Sequence, residues 1–112
     1  MSRIAEINIK VRLGDDDVPE EILWEASESE TQEAKNCEAM FLSMWDKQEK
    51  NSLNIDLWTK KMEIPEMNAL YFYTMMRMAD TYERATNNQQ LAKKIRDYAN
   101  DFANSVETFN SN

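Results

Sequence analysis

An α+β fold in the order ββαβαα is what this sequence predicts, with a small three-stranded sheet that begins as an antiparallel hairpin and helices packed mainly on one of its faces. Three observations carry the prediction. Apolar residues alternate with polar ones near the N-terminus and again at 53–58, and long 3.6-residue stripes fill the second half of the chain. Nor does any linker, repeat or low-complexity tract divide residues 1–112, so a single domain is expected.

The elements follow in order. Ile7, Ile9, Val11 and Leu13 lie on one side of a strand, with Asn8, Lys10 and Arg12 on the other. Gly14-Asp15-Asp16-Asp17-Val18-Pro19 supplies turn residues, and Ile22, Trp24 and Ala26 then alternate with Leu23 and Glu25, giving the partner strand of a hairpin. Ser27 to Thr31 offers N-cap candidates for a first helix reaching about Lys50, with a stripe of Ala34, Cys37, Phe41, Met44 and Trp45. Asn51-Ser52 breaks it, and Leu53, Ile55 and Leu57 alternate with Asn54, Asp56 and Trp58 as a third strand. Pro65 near a first turn opens the next helix, which is apolar on two faces through Met67, Tyr71, Met75, Met78 and Tyr82 and through Ala69, Phe72, Met76 and Ala79. Thr86-Asn87-Asn88 ends it, and Leu91, Ile95, Tyr98, Phe102, Val106 and Phe109 mark the last helix. Ile9, Val11, Trp24, Phe41, Ile55, Leu57, Met75 and Phe102 are expected to be largely buried.

Composition excludes more chemistry than it supplies. The 112 residues contain no His, one Cys and one Gly. That removes His-based triads and His-ligated zinc, internal disulfides and multi-Cys metal sites, and glycine-rich phosphate cradles. Asp15 to Asp17 lacks the Gly and Glu spacing of an EF-hand and reads as a turn. Asp97 and Asp101 face away from the apolar stripe, and Cys37 lies on one, where a thiol is inert. Neither an enzyme, a cofactor nor a metal is expected. With no apolar run of membrane-spanning length, no leader pattern and an unpaired Cys37, the expected compartment is the cytoplasm.

The net charge of −8 argues against nucleic-acid binding, and its distribution is uneven. Ten acids and one base lie between Asp15 and Glu38. Asp15, Asp16, Asp17, Glu20, Glu21 and Glu25 are therefore either an acidic surface for a basic partner or a solvated, solubilising face. Trp58 stands among Asp56 and Lys60, opposite the apolar side of its strand, which makes it an exposed or interfacial aromatic unless another element wraps over it. Asp56, Trp58 and Lys60 are accordingly the candidate partner surface, with Asp80 and Arg84, one helical turn apart, as a further candidate or simply an ion pair. A homodimer with Trp58 near the contact would cover that face and relieve the doubly apolar helix.

The run Ile55-Asp56-Leu57-Trp58-Thr59-Lys60, followed by Met62 and Met67, resembles the gliding-motility GldC family of the Bacteroidetes. So does Met78-Ala79-Asp80-Thr81-Tyr82-Glu83-Arg84-Ala85-Thr86, together with Val18-Pro19 before Trp24, Trp45-Asp46, and Asp97-Tyr98 with Asp101-Phe102. The resemblance covers nearly the whole chain. It implies a small cytoplasmic accessory or adaptor protein of gliding motility that acts through protein–protein contacts, and it brings no active-site residues. The alternative is an acidic, chaperone-like escort for a secreted or motility protein.

Overall fold

Two runs of alternating residues joined by Gly14 to Val18 build the first hairpin. In the computed structural model, which describes residues 2–28 and 33–110 (side chains to 107), β1 is Ile7–Leu13 and β2 is Pro19–Ala26, paired antiparallel. Asp17 closes the turn in the left-handed region at φ 60°, and its N–H donates to Gly14 O at 3.0 Å. The ladder then slips: Arg12 faces Glu21 while Leu13 faces Pro19, so Glu20 is the extra residue of a bulge. The bulge brings two carboxylates to one guanidinium, with Arg12 Nη1 2.7 Å from Glu20 Oε2 and Nε 3.9 Å from Glu21 Oε1.

Residues 34–50 are not the expected helix. They form β3, Lys35–Cys37, which adds antiparallel to β2, and β4, Ala39–Asp46. The helical stripe and a strand alternation coincide in this apolar run, and pairing decides between them. β4 finds a partner of equal length in β5, Asn51–Trp58, with an unbroken ladder from Ala39–Trp58 to Asp46–Asn51. Asp46 Oδ1 accepts from the N–H groups of Gln48 and Glu49 at 2.9 and 3.1 Å, and Lys50 takes φ 54°, so a polar turn closes the hairpin. Of the helix N-cap candidates Ser27 to Thr31, those at 29–31 lie outside the described residues. The three-stranded sheet is thus β1-β2-β3, and the predicted third strand belongs to a separate two-stranded sheet, β4-β5. The α+β class holds, with strands first and two helices after.

α1, Ile64–Thr86, starts with Pro65 in its first turn, and the Glu63 N–H donates to Glu66 Oε1 at 3.2 Å. Asn87 ends it in the left-handed region, its N–H reaching Glu83 O at 2.7 Å. Asn88 Oδ1 accepts from Leu91 N–H at 3.0 Å and so caps α2, Gln89–Asn110. The chain forms two compact units by contact, residues 1–62 and 63–112, each described by itself.

Each unit buries little. In the strand unit Ile22 is fully enclosed, with Val11 and Cys37 as its cross-strand neighbours, and Thr59 is 1% exposed. In the helical unit the fully buried positions are Ala79, Ala92 and Ala99, small residues that let the two backbones approach closely. The predicted core is therefore corrected. Ile55 is 47% exposed, while Ile9, Val11, Trp24, Phe41, Leu57, Met75 and Phe102 are only half-buried. A two-stranded sheet and a two-helix hairpin each have few inward-facing positions to enclose, fewer than the single sheet covered by helices that is expected from sequence.

Candidate functional site

Cross-strand register places the side chains of β4 and β5. Ala39, Phe41, Ser43 and Trp45 stand opposite Trp58, Asp56, Asn54 and Ser52 and share one face of the hairpin. Trp58 is 52% exposed at one end of this face, and Trp45 is 69% exposed at the other. Between them runs a polar ladder: Asn54 Nδ2 donates to Ser43 Oγ at 2.6 Å, and Ser52 Oγ to Asn54 Oδ1 at 3.1 Å. The result is an aromatic residue at each end of a hydrogen-bonding strip, an arrangement suited to gripping a polypeptide surface.

The Trp58 end is held by a clamp that sequence reasoning missed. Thr59 N–H donates to Glu38 O at 2.9 Å, and the Thr59 hydroxyl donates to the Glu38 carboxylate. Thr59 itself accepts from Lys61 N–H at 3.3 Å and, through its carbonyl, from Met62 N–H at 3.1 Å. The residue that follows β5 is thereby fixed beside Glu38, between β3 and β4, and so is the end of the strand at Trp58.

Lys60 joins two of the predicted sites. Its Nζ lies 2.5 Å from Asp16 Oδ2, so the Trp58 strand and the acidic turn meet. The hydrogen bond to Lys60, with a second from Val18 N–H, holds the Asp16 carboxyl below its ordinary value, and the same contact raises Lys60. Glu20 and Glu21 are engaged by Arg12, whereas Asp15, Asp17 and Glu25 make no ion pair among the described residues. Half of the predicted acidic surface is thus ion-paired within the chain, with two cations set against three carboxylates, so the region stays negative.

Asp80 and Arg84 belong to the helical unit and do not pair with each other. Asp80 Oδ1 accepts from Arg96 Nη2 at 2.9 Å, Glu83 Oε1 accepts from Arg96 Nη1 at 3.0 Å, and Arg84 Nη2 donates to Thr81 Oγ1 at 3.3 Å. Asp80 is therefore a tie between α1 and α2. Cys37 is half-buried, and burial together with Glu38 pushes its thiol up, away from the reactive thiolate.

Trp45 is read from sequence as part of a helix stripe, and so does not appear there as an exposed partner of Trp58. The signal was there: an apolar run of strand length, closed by Asp46 and Asn51 and followed by a second run of the same length.

The geometry comes with a family. The model of the gliding motility-associated protein GldC-like family matches residues 19–108, which include both tryptophans of the hairpin face, all of α1 and all but the last two residues of α2. The chain belongs to the GldC-like family. Neither the search of curated proteins nor that of solved structures found a match. Among the described residues no helix is long and apolar enough to cross a membrane.

Proposed function

We propose that this GldC-like chain is a non-enzymatic, cytoplasmic adaptor of gliding motility that binds a protein partner across the Trp45–Trp58 face of β4-β5. One observation carries the reading: two exposed tryptophans at opposite ends of a polar strip, on a hairpin whose other side is apolar. Exposed Trp side chains contribute a large, rigid contact area, and alanine substitutions at such anchors are the ones that abolish binding. Asp56 on the same face and Lys60 just beyond it would set the orientation of the partner. The half-buried, protonated Cys37 and the absence of His in the sequence fit a protein that works by contact rather than catalysis.

The test is retention of a stoichiometric partner from gliding cells by wild-type protein and by Trp58→Ala and Trp45→Ala variants, scored beside colony spreading. Both substitutions are expected to lose the partner and slow spreading while leaving the circular dichroism unchanged. Undiminished retention by both variants would rule the face out. Exposed methionines, Met44 at 44% and Met78 at 58%, favour the chaperone-like alternative, which would show as several unfolded clients in place of one partner.

A further inference from the structure

The strands at sheet edges differ in how well they are guarded. β1 carries Lys10 and Arg12 and slips at a bulge, β3 has three residues, and β4 is exposed at three of its eight positions. β5 is exposed at seven of eight, and it has neither Pro, Lys, Arg nor a bulge. Among the described residues no strand but β4 pairs with it, and a two-stranded sheet is marginal by itself in water. The ladder fixes which backbone groups of β5 are open. Thr59 N–H donates to Glu38 O at 2.9 Å, so these two residues form a hydrogen-bonded pair, and by alternation so do Met40 with Leu57, Leu42 with Ile55 and Met44 with Leu53. Ser52, Asn54, Asp56 and Trp58 therefore turn their N–H and C=O groups away from β4. Asn51 Oδ1 accordingly takes the Ser52 N–H at 2.8 Å.

We infer that this edge pairs antiparallel with β5 of a second copy, about a two-fold axis at Ile55, to build one four-stranded sheet. Leu53-Asn54-Ile55-Asp56-Leu57 selects a second copy, because the run complements itself when reversed. Ile55 meets Ile55 of the second copy, each Leu53 meets a Leu57, and each Asn54 meets an Asp56. Asn54 gives one Nδ2 hydrogen to Ser43 Oγ and keeps the other for that carboxylate. Trp58 stands across from Ser52, so the polar strips of the two copies join on one side and the apolar residues on the other. The neighbouring two-fold registers are poorer. One centred on Asp56 opposes two carboxylates, and one centred on Asn54 leaves Trp58 beyond the paired strands. Edge pairing covers less than the roughly 800 Å² per partner of a permanent dimer, so the association is reversible and concentration-dependent.

The contact runs along the strand edge, not across the sheet face expected from sequence, and it does not depend on the adaptor reading. Sedimentation equilibrium of the full chain tests it. Wild-type protein and an Asp56→Asn variant, which keeps the N–H, should move from the 13.2 kDa chain mass toward twice that value as concentration rises to about 1 mM. Asp56→Pro removes an N–H that β4 does not use, and it should weaken the dimer at least ~10-fold. A wild-type monomer throughout, or an Asp56→Pro variant that dimerises as well as Asp56→Asn, would overturn the inference. Should Asp56→Pro disturb the circular dichroism, disulfide trapping decides. Ile55→Cys sets two thiols facing each other at the axis, whereas Leu53→Cys faces Leu57. With Cys37→Ala in both backgrounds, oxidised glutathione should yield covalent dimer from Ile55→Cys and far less from Leu53→Cys. Equal yields, or none from either, reject the pairing.

Discussion

Thr59 shows how much one hydroxyl can organise. It is 1% exposed, and its side chain donates to Glu38 while its backbone N–H takes the Glu38 carbonyl. Thr59→Val keeps the shape, removes the donor and leaves a partly enclosed carboxylate short of one hydrogen bond. Such a loss costs about 1–3 kcal/mol, and the urea midpoint should fall accordingly. The Asp16–Lys60 pair makes a different statement, about pH. Because the Asp16 carboxyl is depressed in the folded chain, its contribution to stability is present above the ordinary carboxylate pKa and is lost as pH falls through the depressed value. Lys60→Ala should return the Asp16 titration, followed by carboxyl NMR, upward to the ordinary range. An unmoved titration would show that the Val18 N–H, and not Lys60, holds it down.

At the scale of elements, the two units solve the same problem differently. The helix pair uses alanines at its seam, so added volume has nowhere to go. Ala99→Leu is expected to cost about 1–3 kcal/mol by forcing α1 and α2 apart, visible as a lower thermal midpoint, whereas Ala85, on the exposed side of α1, should accept Leu with little change. The strand unit depends on one enclosed aliphatic. Ile22→Ala should cost about 2–5 kcal/mol, and Ile55→Ala, at a position 47% exposed, well under half of that. Equal denaturant midpoints for the two would contradict the placement of the core at the β1-β2-β3 sheet.

For the molecule as a whole, charge is unevenly distributed along the chain. The acids are concentrated between Asp15 and Glu38, and Lys60 ties that region to the Trp58 end of β5. A partner gripped at Trp58 therefore meets a strongly negative neighbourhood. Its affinity should fall as salt rises from 0.1 to 0.5 M, since screening at 0.1 M already limits exposed charges to about 10 Å. Isothermal titration at the two salt concentrations checks this, and an unchanged affinity would reduce the acids to a solvating role.

What the amino-acid sequence determined by itself is whatever depends on neighbours along the chain. The alternation of Ile7 to Leu13, the turn at Gly14 to Val18, the strand ending at Trp58, and the two helices with Asn87 and Asn88 between them all follow from local periodicity and capping. So do the exposure of Trp58 and the family, which rest on contiguous motifs. Tertiary structure decided the rest. Ala39 to Asp46 suits a helix stripe or a strand equally well on local grounds, and only its hydrogen-bonded ladder with Asn51 to Trp58 makes it β, which moves Trp45 from an expected helix stripe to the same face as Trp58. Thr59 meets Glu38, Lys60 meets Asp16 and Arg96 meets Asp80 across separations of 21, 44 and 16 residues, contacts that no window of periodicity spans. Pairing between distant segments is a property of the folded chain, because its free energy exists only once the loop between the partners has closed.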